Sequence, residues 1–304
     1  MHRAPLVIAL AIGCVAASAG PARAGDKEAE KLLEEAYGHW NDPDPKAALD
    51  LAEKALGAGP ESAVVRSKIQ LFLGSLHQAK TGDLERATAI YDDLIRSTAG
   101  TKEMMLRQLR AQAMVRKGNI VYAEKQNIEE ALQLFEAAHS NFQLATSADT
   151  ASQLCLRMAR ERTGRSDAAK KSLLERAERL AREAIARAKD EFSRDPERRA
   201  AFEAKAKLQL VLVLTATGKG KDADEAWASV EQARLGDAGL YQLAVLDAMK
   251  GQADAATEKL KRFLETRPTA KARNQLRKFI RTEPDFTDLR ARDDWKVLLE
   301  DEPV

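Results

Sequence analysis

Along this chain a small residue is followed four positions on by an apolar one, and three further on by another. The sets are Ala48/Ala52/Ala55, Ala87/Tyr91/Leu94, Ala131/Phe135/Ala138, Ala223/Trp227/Val230 and Ala256/Leu260/Phe263. Steps of four and three keep all three residues on one stripe of a helix, whereas the two-residue alternation of a strand would scatter them over both faces. The small first residue marks where another backbone must come close. A stripe that returns at intervals of a few tens of residues is the pattern of stacked helical units.

The bulk of the chain agrees with helix almost throughout. Of 304 residues, 44% are hydrophobic and 32% charged, with only 9 prolines and 16 glycines. That supplies a large core and excludes a disordered chain. Breakers fall in short clusters, among them Asn41 to Pro45, Gly57 to Pro60, Gly100, Gly164, Asp195-Pro196 and Arg267-Pro268. Such punctuation predicts helices of ordinary length joined as antiparallel hairpins. In Thr81-Gly82-Asp83-Leu84, Gly82 is placed to end one helix in the left-handed conformation and Asp83 to cap the next. Gly82, Gly218 and Gly251 each stand five residues before the stripe alanine that follows, namely Ala87, Ala223 and Ala256.

With its glycine turn, its A-x3-F-x2-A stripe and a closing proline, the unit resembles the tetratricopeptide repeat (TPR). The best matches are Leu73-Gly74 through Leu94, Val115 through Ala138, and Tyr241 through Pro268, and Ala48/Ala52/Ala55/Pro60 fits the end of a first unit. A further hairpin is expected at about 150 to 192, where Ala181/Ile185/Ala188 keeps the spacing. The resemblance implies an all-α, TPR-like α-solenoid of about five to six hairpins over 25–268. Counting Ala181, the stripes are 39, 44, 50, 42 and 33 residues apart, so the repeat length is irregular against the family's period of about 34. The stretch 140–200 is the least regular. Residues 269–304 resemble the segment that closes such arrays, with Phe286, Leu289, Trp295 and Leu298 forming an apolar cover for the last hairpin.

The first 24 residues have the layout of a secretory signal peptide. A basic start at His2-Arg3 precedes an apolar run from Leu6 to Ala17 and a small-x-small site at Ala22-Arg23-Ala24. Cleavage before Gly25 would remove two arginines and no acid, leaving 47 basic against 47 acidic residues. A neutral chain gives a nucleic-acid role no electrostatic support. The alternative processing site is a lipobox ending at Cys14, which would make the protein a membrane-anchored lipoprotein. Otherwise the expected location is the periplasm or the exterior, with no membrane span after cleavage. Cys155 would then be the last cysteine, a buried thiol among Leu154, Leu156 and Met158.

No catalytic constellation stands out, and no cofactor is expected. Glu136-x-x-His139 is the step used by di-iron bundles, yet such a site needs a second step and two more glutamates. Gly218-Lys219-Gly220-Lys221-Asp222 fails the phosphate-loop spacing and follows no strand. The charged stretch from Lys170 to Lys189 reads as a solvated helix face. His39 and His77 take the place of the family's packing aromatic.

The resemblance therefore implies binding in place of catalysis, through a groove lined by the first helix of each hairpin. Projecting the repeat's inward positions selects Leu33, Tyr37, Trp40, Lys68, Gln78, Asn119, Tyr122, Lys205 and Tyr241. The family's carboxylate clamp is not reproduced; Asn119 alone matches one of its positions. The expected function is a non-catalytic exported scaffold for a protein or peptide partner. The alternatives are a self-associating or envelope-tethering structural protein and, third, a helical-bundle metalloenzyme.

Overall fold

Each stripe lies on the second helix of an antiparallel hairpin, where its small residues let the first helix approach. The structure, a computed structural model, describes residues 24–303 apart from 126, 162 and 163. Residues 1–23, Cys14 among them, lie outside the described residues, while Ala24 and Gly25, on either side of the expected cleavage point, open the first helix. The chain divides by its packing into two compact units that meet at Gln143/Leu144.

The first unit holds three hairpins. α1 (Ala24–Gly38) pairs with α2 (Lys46–Gly57), α3 (Ala63–Leu76) with α4 (Leu84–Ser97), and α5 (Met104–Ile120) with α6 (Ile128–Phe142). Both α3 and α5 run on into a π-helical turn, His77–Thr81 and Val121–Lys125. The first helices α1, α3 and α5 lie side by side, each backed by its partner.

In the second unit, α7 (Ala145–Arg160) pairs with α8 (Asp167–Glu191), α9 (Pro196–Ala216) with α10 (Gly220–Ala228), and α11 (Gly236–Met249) with α12 (Ala253–Glu265). The tail follows as α13 (Ala270–Thr282), a 3-10 segment Pro284–Leu289 and α14 (Asp293–Leu298). Among the described residues there is no strand.

Local chemistry explains the boundaries. Asp83, Asn127 and Asp195 accept hydrogen bonds from the backbone N–H of Arg86 (3.0 Å), Glu130 (3.1 Å) and Arg198 (3.0 Å), capping α4, α6 and α9. Each such cap is worth about 1 kcal/mol. Gly82, Gly218 and Gly251 turn at φ of 72°, 73° and 72°, the left-handed conformation their position before each stripe requires.

Packing follows the stripes. Ala48, Ala52, Ala55, Ala87, Tyr91, Leu94, Ala131, Phe135 and Ala138 are all fully buried. In the first unit the aromatic of the stripe sits on a glycine of the preceding helix. A Cβ added at Gly74 would lie 2.5 Å from the Tyr91 ring, and one at Gly118 would lie 3.0 Å from Phe135. Gly74 to Tyr91 and Gly118 to Phe135 are the same distance along the chain, so the two hairpins repeat with the 44-residue spacing of their stripes. The π-turns keep that register too, each starting three residues after its glycine. In the second unit alanines replace this device: Ala177, Ala181, Ala184 and Ala188 bring α8 close to α7, all at 0% exposure. Trp227 is only half-buried and lines an open depression with Leu246, Asp247 and Lys259.

The tail closes the second unit largely as its apolar residues predict. Phe286, Leu289 and Trp295 are buried. Leu299 takes the fourth buried place, while Leu298 is half-exposed. Phe286 and Trp295 pack at a tilt of 44° with centroids 5.2 Å apart. The last residues are clasped electrostatically: Glu302 pairs with Arg273 and, at 2.7 Å, with Arg277. Those arginines, Arg273 first, hold the Glu302 carboxyl down at about 2.

Candidate functional site

The nine inward positions fall seven in the first unit and two in the second, and the structure gives them different work. Leu33 is 4% exposed and belongs to the core shared by α1, α2 and α3, so it packs and offers no surface. Tyr37 and Trp40 are brought together on one side chain, Phe72, with ring centroids 4.3 and 5.7 Å from it. Both keep part of their surface, and the Lys80 ammonium stands 5.4 Å from the Trp40 ring. Lys68, half-buried on α3, reaches 3.9 Å from Glu30 on α1. Gln78 accepts a hydrogen bond from the Tyr91 hydroxyl at 3.0 Å and so braces the aromatic that fills Gly74's place. Asn119 and Tyr122 lie half-buried at the end of α5 and on its π-turn.

In the second unit Lys205, on α9, is half-buried and acts electrostatically on Asp149 of α7. Burial raises the Asp149 carboxyl; Lys205 and a 2.8 Å hydrogen bond from Gln153 pull the other way. Tyr241 is not presented as an open groove residue. Its ring lies between Phe263, Phe279 and Phe286 at 5.7 to 5.9 Å, and its hydroxyl donates to Glu283 at 3.0 Å.

Inward-position reasoning missed the charged cluster around that hydroxyl. Arg157, near the end of α7, pairs with Glu283 at 2.9 Å, and Arg160 one turn on pairs with Asp285. The Arg157 guanidinium also stands 5.6 Å from the Phe279 ring. Arg290 donates to the Glu283 carbonyl at 2.5 Å. Glu283 is 3% exposed, and desolvation pushes its carboxyl up to about 7 against the pull of Arg157 and Tyr241. Asp285 is likewise raised by burial and opposed by Arg160. The available signal was the pair of arginines at i, i+3, Arg157 and Arg160, on the otherwise apolar stretch 154–160, matched by two acids flanking Pro284.

For the remaining chemistry, Cys155 is buried and burial pushes its thiol up to about 12, so it is no nucleophile at neutral pH. Among the described residues no group of three or more His, Cys, Asp and Glu is placed to hold a metal. Glu136 and His139 share α6 without one. His77 is buried and its imidazole pKa is lowered, by burial first and then by Arg86. Among the described residues no helix is long and apolar enough to cross a membrane.

No family model matches the chain, and no curated protein matches it. Among solved structures it is similar to a tetratricopeptide repeat protein from Parabacteroides merdae. The TM-score is 0.50 at 16% identity, over 90% of this chain and 98% of that one. At that identity the likeness concerns the fold alone. The chain has an all-α, TPR-like fold built of hairpins.

Proposed function

We propose that the chain is an exported, non-catalytic scaffold that binds a segment of another protein along the first helices of its first unit. The observation that supports this most is the polar and aromatic set left half-exposed there. Trp40 and Tyr37 are seated on Phe72, with Lys68, Asn119 and Tyr122 on the helices that follow. Aromatic anchors with amide and lysine partners suit peptide recognition. A surface preformed by hairpin packing also loses little entropy on binding. Export rests on the leader pattern, with Gly25 as the mature N-terminus and lipidated Cys14 as the alternative; intact-mass measurement of the mature protein separates the two.

The test is site-specific photocross-linking in the native cell. A cross-linker at Lys68, Asn119 or Tyr122 is expected to trap one defined protein partner, and one at the exposed Gln133 of α6 is not. Equal capture from both faces, or capture only of further copies of the chain, would sink the reading.

A further inference from the structure

The buried charges at the end of the second unit do something an apolar cap does not need. Phe286, Leu289 and Trp295 already seal the last hairpin against water. Buried ion pairs add little to stability over apolar packing of the same volume, and their better-attested contribution is selectivity. Here two acids on either side of a proline, Glu283 and Asp285, are read by Arg157, Arg160 and the Tyr241 hydroxyl. The next residue, Phe286, enters an aromatic seat between Tyr241 and Trp295 at 5.9 and 5.2 Å.

The position of this contact matters as much as its chemistry. α7, α9 and α11 are the first helices of the second unit's three hairpins and pack in series, backed by α8, α10 and α12. The 3-10 segment Pro284–Leu289 lies against α7 and α11, the first and last of that series. The tail thus returns to the opening hairpin of its own unit and rests on its row of first helices. It is a short, proline-led stretch held by side-chain charge and one aromatic anchor, as a bound peptide would be.

We propose that the Arg157/Arg160/Tyr241 face is a peptide-recognition site occupied in cis by Glu283–Leu289. A partner segment of the same chemistry (acid, proline, acid, aromatic) displaces the tethered one. This goes beyond the first-unit reading and stands without it. A tethered ligand acts at an effective concentration on the order of millimolar, so a free peptide competes poorly until the tether is weakened.

The experiment uses the full chain and a fluorescent peptide carrying residues 282–299. Wild type should bind it weakly, and Phe286→Ala, with the cis aromatic anchor removed, at least tenfold more tightly. Adding Arg157→Ala/Arg160→Ala to that variant should abolish the gain. Equal affinity of wild type and the weakened variant, or binding that survives loss of both arginines, overturns the proposal. Should the variant fail to fold, hydrogen exchange on wild type decides. Excess acidic peptide should speed exchange across 284–299, where a scrambled peptide does not, and an unchanged rate overturns it. So does a wild-type dimer in which that segment cross-links to a second copy.

Discussion

The two units use the same hairpin for different packing. In the first, an aromatic from each later second helix presses on a glycine of the first, Tyr91 on Gly74 and Phe135 on Gly118. The side-by-side helices keep half-exposed aromatic and polar residues. The second unit packs through alanine and leucine, buries Asp149, Asp247, Arg277 and Glu283, and lays its own tail across its first helices. The difference separates stacking from recognition. On the functions proposed above, the first unit's face is open to a partner segment, and the second unit's must first be emptied of its own chain.

The sharpest way to break the comparison is to empty each unit's anchor. Phe135→Ala and Trp295→Ala each remove a fully or almost fully buried aromatic and should each cost about 3–5 kcal/mol. Hydrogen exchange should show Phe135→Ala loosening α5 and α6, and Trp295→Ala loosening the tail with α12. Loss spread evenly over both units would mean that the division at Gln143/Leu144 has no energetic counterpart. Where two units unfold separately, a single melting midpoint does not resolve them, so the readout is local exchange.

Next in size are the close approaches. Gly74→Ala sets a methyl into the Tyr91 ring, which is fully buried and cannot swing away, and should cost roughly 1–3 kcal/mol. Gly118→Ala has a looser 3.0 Å clearance and should cost less. Ala131→Leu on the stripe should match the first range, while Ala137→Leu, exposed on the same helix, should change little. Urea melts that rank Ala137 with Ala131 would contradict the stripe.

These sites also show what sequence could and could not reveal. The stripes, the left-handed glycines at 82, 218 and 251 and the Asp83 cap are local events, fixed by spacing and by one residue's conformational freedom, and they were legible. So was the sealing of the tail, since Phe286 and Trp295 have no other place to hide. The uneven repeat was visible as a number, but the 44-residue interval from Ala87 to Ala131 contains a π-turn at Val121, and the 39-residue interval before it another at His77, that no short pattern marks. The candidate site was less legible. Leu33 and Gln78 occupy inward repeat positions yet serve the core, because burial depends on which neighbour covers them. Arg157 and Glu283 are 126 positions apart. Each alone looks like a solvated charge, and only the returning tail makes them a pair.

A third effect separates the units by pH. Glu283 in the folded protein holds its proton up to about 7, above the ordinary 4.5, chiefly because it is buried. Between those values the folded state binds more protons than the unfolded one, so this group's contribution to stability falls as pH rises from about 4.5 to about 7. Hydrogen-exchange protection factors across 284–299 should therefore fall over that window while those of α3 to α6 stay unchanged. Glu283→Gln should flatten the dependence. A tail whose protection is constant across the window would show that Arg157 and Tyr241 hold the carboxylate charged throughout.

The smallest effect lies at the junction. Gln143 closes α6 at φ 44°, the one non-glycine residue with positive φ among the described residues, and its N–H reaches the His139 carbonyl. A side chain in the left-handed region costs on the order of 1 kcal/mol relative to glycine, which takes the same turn freely. Part of that gain is lost to the greater freedom of glycine in the unfolded chain. Gln143→Gly should thus raise the stability of the first unit by about 0.5 kcal/mol and leave the second unit's exchange rates unchanged. Stabilisation of both units together would mean that the strained residue couples them. A loss of stability would show that the Gln143 side chain contributes more than its backbone costs.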